Sequence, residues 1–246
     1  MSMDSLWPVA LALLTAGIVK GVTGIGYSTT ALPLLALTVG LKAGMPLVLI
    51  PSIVSNLLVM RDAGGFREAA TRFMPIYLAV LPGLAVGLWV LPKIDDHWAA
   101  AVLGGVLTLY AALMLRRGPW IMPKPLARRL RLPAGFLTGF FNGLTGSQVM
   151  PLVPYLLAVE LPPSLFVQIC NISFTMSSLV MIAGLAWVGL LGRTELAMSA
   201  MGIVPALAGV AIGNVIRRRL DAGTLRRLVL MVLLGTGLAL VVRALG

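Results

Sequence analysis

The second half of this chain repeats the first in apolar lettering. Ala16-Gly17-x-x-x-Gly21 returns as Ala134-Gly135-x-x-x-Gly139, and Leu32-Pro33-Leu34 returns as Met150-Pro151-Leu152, both at an offset of 118 residues. Further on, Pro82-Gly83-Leu84-Ala85 answers Pro205-Ala206-Leu207-Ala208 at 123, and Ile94-Asp95 answers Leu220-Asp221 at 126. A slow drift of this kind is what a duplicated unit with small insertions leaves. The fold must therefore be assembled from two like halves, with the residues that differ most from their surroundings falling where the halves meet.

Composition fixes the solvent of those halves. The chain is 59% hydrophobic and 11% charged, with a mean hydropathy of +1.00. A soluble domain carries roughly a quarter charged residues. The apolar runs approach the ~20 residues that cross a bilayer core, and the short alternating segments of a barrel strand are absent, so the spanning form is helical. The expectation is an all-α polytopic membrane protein. The net charge of +11 does not point to nucleic acid, because Lys and Arg gather in the short loops between apolar runs. A single cysteine, Cys170, excludes an internal disulfide and a thiolate metal cluster. No basic region precedes the first apolar run, so no removable signal peptide is expected.

Eight hydrophobic segments are expected, four in each repeat. In repeat 1 (residues 1–118) they are 5–40, Lys42–Met60, Phe73–Leu91 and Trp98–Leu115. A basic connector, 119–131, leads to repeat 2 (132–246), with Leu132–Val159, Ser164–Leu191, Leu196–Ile216 and Leu228–Val242. The first segment of each repeat is broken by glycine and proline. If all eight cross, Lys and Arg divide 11 to 7 between the two sides. If the two broken segments are re-entrant helical hairpins, 14 fall on one side and only Lys42, Lys93, Arg193 and Arg243 on the other. The positive-inside rule favours the hairpins and makes the 14-residue side cytoplasmic. A hairpin plus three crossings is odd, so the repeats would be inverted. Trp7, Trp89, Trp98, Trp120 and Trp187 fall near segment ends, as interfacial anchors do.

The polar residues inside these segments are the candidates for function. The first break carries Lys20, Gly21, Thr23, Gly24, Gly26, Tyr27, Ser28 and Thr29; its counterpart carries Gly139, Asn142, Gly143, Thr145, Gly146, Ser147 and Gln148. Glycine lets a backbone reverse and bring its N–H groups close to a ligand, and such groups with a helix N-terminus make a partly positive cradle for an oxyanion. Lys20 is the one basic residue deep within an apolar segment, and all eight acidic residues lie in loops or at segment ends. A membrane cation with no carboxylate partner points to an anionic substrate; snorkelling to the interface is the competing reading. The span after each hairpin is also polar. Ser52, Ser55 and Asn56 stand in the first, and Gln168, Asn171, Ser173, Thr175, Ser177 and Ser178 in the second. Gln168, Asn171, Thr175 and Ser178 share one helical face, which is either interhelical glue or the wall of a substrate path. His97 beside Asp95 and Asp96 reads as a solvated loop residue, and neither paired membrane carboxylates nor a nucleotide-binding loop is present.

At these residues the chain resembles the sulfite exporter TauE/SafE family. The resemblance is carried by Gly17-x-x-Lys20-Gly21-x-Thr23-Gly24-x-Gly26-Tyr27 leading to Leu32-Pro33. In the second half it is carried by Gly135 and Gly139, Gly143-Leu144-Thr145-Gly146, Pro151 and Tyr155-Leu156. It implies a transporter of small anions such as sulfite, sulfonates or related organosulfur compounds. The chain departs from the family's run of glycines at Ser147 and Gln148. The expected protein is a multi-pass carrier of the cytoplasmic (inner) membrane, not an enzyme. It takes no cofactor or metal, and its partners are a small anionic substrate and the bilayer. Alternating access between the repeats is expected, with a passive channel as the alternative. A homodimer and proton coupling are left open.

The charge asymmetry has a direct check. Single cysteines at Lys124 and at Arg218, in a Cys170→Ser background, should both resist a membrane-impermeant thiol reagent applied outside. Ready labelling of one alone would restore eight crossings.

Overall fold

A computed structural model describes residues 6–116, 121–219 and 222–245, and every described element is helical. The order is α1 (Leu6–Thr23), α2 (Tyr27–Thr38), α3 (Leu41–Leu47), α4 (Leu49–Ala63), α5 (Phe66–Arg72), α6 (Met74–Val90), α7 (Asp96–Arg116), α8 (Lys124–Thr145), α9 (Leu152–Ala158), α10 (Pro163–Trp187), α11 (Arg193–Met201), α12 (Ile203–Arg217) and α13 (Ala222–Leu245). Trp120, Leu220 and Asp221 lie outside the described residues, as does Asp4.

Among the described residues six helices are long and apolar enough to cross a membrane, or seven with the bent pair α3–α4 counted as one span. The expected segment missing from this count, Leu132–Val159, differs for a physical reason. Its first helix, α8, begins at Lys124 inside the expected connector, and Arg128, Arg129 and Arg131 occupy its first turns. Only its later part is apolar.

The bend between α3 and α4 is 45°. Pro51 has no N–H to give to the carbonyl of Leu47, and its ring crowds that carbonyl, so the helix cannot continue straight. Ser199 of α11 repairs the break. Its hydroxyl donates to Leu47 O at 3.2 Å and accepts from Ile50 N–H at 3.1 Å. Asp96 organises the same end of the bundle by accepting from the N–H groups of Leu41 (3.0 Å) and Lys42 (2.6 Å) at the start of α3. Arg243 of α13 donates to Leu37 O at the end of α2. Trp7, Trp89, Trp98 and Trp187 are all at least half exposed, as headgroup anchors would be.

Each broken segment is one long helix followed by a short return. In the first, α1 has 18 residues and α2 only 12. The 12 residues of α2 rise about 18 Å, short of a bilayer core. In the second, α8 has 22 residues and α9 only 7. The ends of the second hairpin meet: Met122 N–H donates to Ala158 O at 2.7 Å, and the Tyr155 hydroxyl to Ala127 O at 2.8 Å.

The halves interlock. α1 of the first packs along α12 of the second, and α8 of the second packs along α6 of the first. The remaining principal contacts are α7 with α13 and α4 with α10, so the pairing is unchanged when the halves are interchanged. Both crossed pairs run parallel. Gly17 faces Ala206 and Gly209, and Gly21 faces Val210 and Gly213; Gly135 faces Ile76, Gly139 faces Val80 and Gly143 faces Leu84. Since α6 and α12 run in opposite senses along the bundle, so do α1 and α8.

The glycines are what permit this approach. A Cβ on Gly21 would stand 2.3 Å from Val210 O, and one on Gly139 would stand 2.0 Å from Val80 O. Gly21→Ala and Gly139→Ala should therefore each lose folded protein in detergent, with destabilisation of order 1–3 kcal/mol. Gly105→Ala, where a Cβ meets nothing within 4 Å, should behave as the parent. Size-exclusion yield and thermal midpoint are the readouts, and parent-like Gly139→Ala would remove the close-packing account.

Candidate functional site

The chain breaks after Thr23 because two glycines adopt a conformation that side chains disfavour: Gly24 has φ +77° and Gly26 φ +87°. The Thr23 hydroxyl stays local, bonded to Val19 O and Ile25 O. Reversal at this point puts the last turn of α1, the break and the first turn of α2 around one cavity of about 800 Å³. Lys20, Gly21, Thr23, Gly24, Gly26, Thr29 and Thr30 line it. Its remaining walls come from Asp62 and Ala63 at the end of α4, Ser164 at the start of α10, Asn214 and Arg217 near the end of α12, and apolar residues including Val149, Val153 and Leu233. All these helix termini belong to one end of the bundle, opposite the end that Asp96 and Ser199 organise.

Lys20 is fully buried. Its ammonium donates to Asn56 Oδ1 on α4 and to Asn171 Oδ1 on α10, the latter at 2.8 Å. Asn171 is held in turn, since its amide donates to Gly24 O at 3.0 Å and to Val167 O at 2.8 Å. A buried cation is thus stabilised by two neutral amide oxygens, one from each half, and by no carboxylate among the described residues. Snorkelling does not describe this side chain, because the ammonium points between α4 and α10 and not to an interface. An ammonium has three donors, so one is left for a further acceptor.

Other expected residues divide into two groups. Thr29 is buried at the cavity, Thr30 lines it with an unpartnered hydroxyl, and Ser28 lies 3.4 Å from the Ser52 hydroxyl. Tyr27 is buried with its hydroxyl unpartnered, and Thr175 donates to Asn171 O. The second break reaches the cavity through Val149 alone, not through its polar side chains. Asn142, Thr145, Ser147 and Gln148 are buried, yet none lines the cavity. Thr145 donates to Phe141 O and accepts from Ser147 N–H, while polar atoms of Asn142, Ser147 and Gln148 have no partner. Gly146, at φ +73°, packs against Leu32 and Met45.

Three glycines expected in the cradle sit differently. Gly21, Gly139 and Gly143 lie within helices, and their missing side chains make room for a neighbouring backbone; the turns themselves use Gly24, Gly26 and Gly146. Asn56 enters as a principal site residue. It was visible in the sequence as a polar residue in an apolar span, but nothing local tied it to Lys20.

The clamp can be tested by coupling. Asn56→Leu and Asn171→Leu should each cost about 2 kcal/mol, the usual worth of a hydrogen bond to a charged group. Asn56→Leu should cost markedly less in a Lys20→Met background, because the charge needing the amide is gone. Additive effects in that cycle would show that Asn56 does not support the ammonium.

A family model described as Sulfite exporter TauE/SafE matches residues 9–240. No curated protein and no solved structure matches the chain. The chain belongs to the TauE/SafE family of membrane transporters.

Proposed function

With that membership as the premise, we propose that this protein is a secondary transporter that exports a small anion, sulfite or a sulfonate, across the cytoplasmic membrane. The observation that carries the reading is Lys20: a buried cation beside a cavity, held only by neutral amide oxygens, with a donor to spare. An oxyanion entering the cavity meets this ammonium, the hydroxyls of Thr29 and Thr30, and the N-terminal turn of α2 after Gly26. Each favours negative charge.

The cavity is lined from one end of the bundle, which supports a carrier over a continuous channel. The end bearing Arg217, Arg218 and Arg219 is the cytoplasmic one by the charge rule. The opposite directions of α1 and α8 support an inverted arrangement of the repeats. Alternating access follows from such a fold. The moving bodies are not the repeats themselves, since α1 is bound along α12 and α8 along α6; each crossed pair moves as one piece.

Counterflow in proteoliposomes tests both class and residue. Preloaded unlabelled sulfite should accelerate uptake of labelled sulfite, which a channel would not do. Lys20→Gln should lower that flux by about tenfold or more, as expected when a charge-assisted contact in a dry site is lost. Parent-like flux in Lys20→Gln would remove Lys20 from the substrate site.

A further inference from the structure

The cavity ends at Lys20, but the polar lining of the bundle does not. α4 and α10 pack against each other in opposite senses, because Ala63 at the end of α4 and Ser164 at the start of α10 share the cavity mouth. Moving away from the mouth, Asn56 is followed one turn on by Ser52, and Asn171 by Thr175 and then Ser178. Ser178 stands seven residues beyond Asn171, about 10 Å along the helix. These residues share the face of α10 that holds Asn171.

If this stripe were glue, its members would bond directly between α4 and α10. Among the described residues none does: Asn56 and Asn171 meet only through Lys20, and the Ser52 hydroxyl accepts only from Ser28 of α2, at 3.4 Å. Thr175 donates to Asn171 O and Ser55 to Ser52 O, both within their own helices. The Ser178 hydroxyl is 1% exposed and has no partner, and both amide atoms of Gln168 are buried and unpartnered. Ser28 and Thr175 are only partly buried although neither lines the cavity. Buried hydroxyls without partners are costly in an apolar interior and are retained where something polar visits.

We propose that the substrate path continues beyond Lys20 along the seam between α4 and α10, with Ser28, Ser52, Thr175 and Ser178 as its walls. It leads to the end of the bundle organised by Asp96 and Ser199. Lys20 with its two amides is then the midpoint of the path: the cavity is the half open in this conformation, and the seam is the half that opens in the other. The proposal rests on the transport reading for what passes, but the existence of the path is separable from it.

Cysteines at Ser52 and Ser178, in a Cys170→Ser background, test it in membrane vesicles of known orientation. The probes are a sulfonate-bearing and a trimethylammonium-bearing methanethiosulfonate, applied to each face with and without sulfite. Both cysteines should react from the face opposite the cavity mouth. Their preference for the anionic reagent, corrected for intrinsic reactivity, should be about tenfold and should collapse in Lys20→Gln. Leu179→Cys, on the 55% exposed outer face of α10, should stay unreactive in lipid. If Ser52→Cys and Ser178→Cys resist both reagents from both faces while Asn214→Cys at the cavity reacts, the seam is dry packing and the proposal is overturned. Labelling as expected in a protein that moves no sulfite would sink the substrate reading and leave the path standing.

Discussion

Inside a bilayer, two helices gain nothing from hiding apolar surface from each other, because lipid tails are as apolar as leucine. Association must come from close van der Waals contact, and here that contact is backbone on backbone. Gly17 and Gly21 set α1 against α12, with Gly209 and Gly213 answering from the other side; Gly135, Gly139 and Gly143 set α8 against α6, with Gly83 and Gly87 answering. Each interface joins the first helix of one half to the third of the other. The halves therefore cannot be drawn apart, and the breaks at the ends of α1 and α8 are carried to depths that their own short return helices could not fix.

Holding α1 in this way places its other face toward α4 and α10, where Lys20 lies. An ammonium taken out of water needs acceptors, and two amides supply them, Asn56 from the first half and Asn171 from the second. The choice of amides over carboxylates has a chemical consequence. A carboxylate would neutralise Lys20 and compete with any arriving anion, whereas neutral oxygens hold the side chain in place and leave its charge uncompensated. The same clamp fixes the first break, since Asn171 also donates to Gly24 O.

Much of this was legible in the residues. Run length and composition required membrane helices, glycine and proline marked both breaks, and Lys20 stood out because a charge in an apolar run has few innocent explanations. The helical spacing of Gln168, Asn171, Thr175 and Ser178 was legible too. Gly21, Gly139 and Gly143 lie within α1 and α8, where the room they leave admits a neighbouring backbone, and Gly21 lines the cavity as well; a sequence records only that a side chain is missing, not which neighbour needs the room. The bend after Leu47 was not anticipated in the Lys42–Met60 segment, nor was its repair by Ser199, a contact that joins residues 149 and 152 positions apart.

Sequence by itself determined the solvent, the helical class and the presence of a lysine within an apolar segment. These follow from hydropathy, periodicity and charge, which are properties of single residues and short windows. Tertiary structure decided who meets whom: that α1 lies along α12 of the other half, that Asn56 and Asn171 converge on Lys20, and that the polar side chains of the first break line the cavity while those of the second do not. Those outcomes depend on packing between helices distant in sequence, 36 positions for Lys20 with Asn56 and 151 for Lys20 with Asn171, where the free energy lies in the fit of two surfaces and neither surface alone specifies its partner.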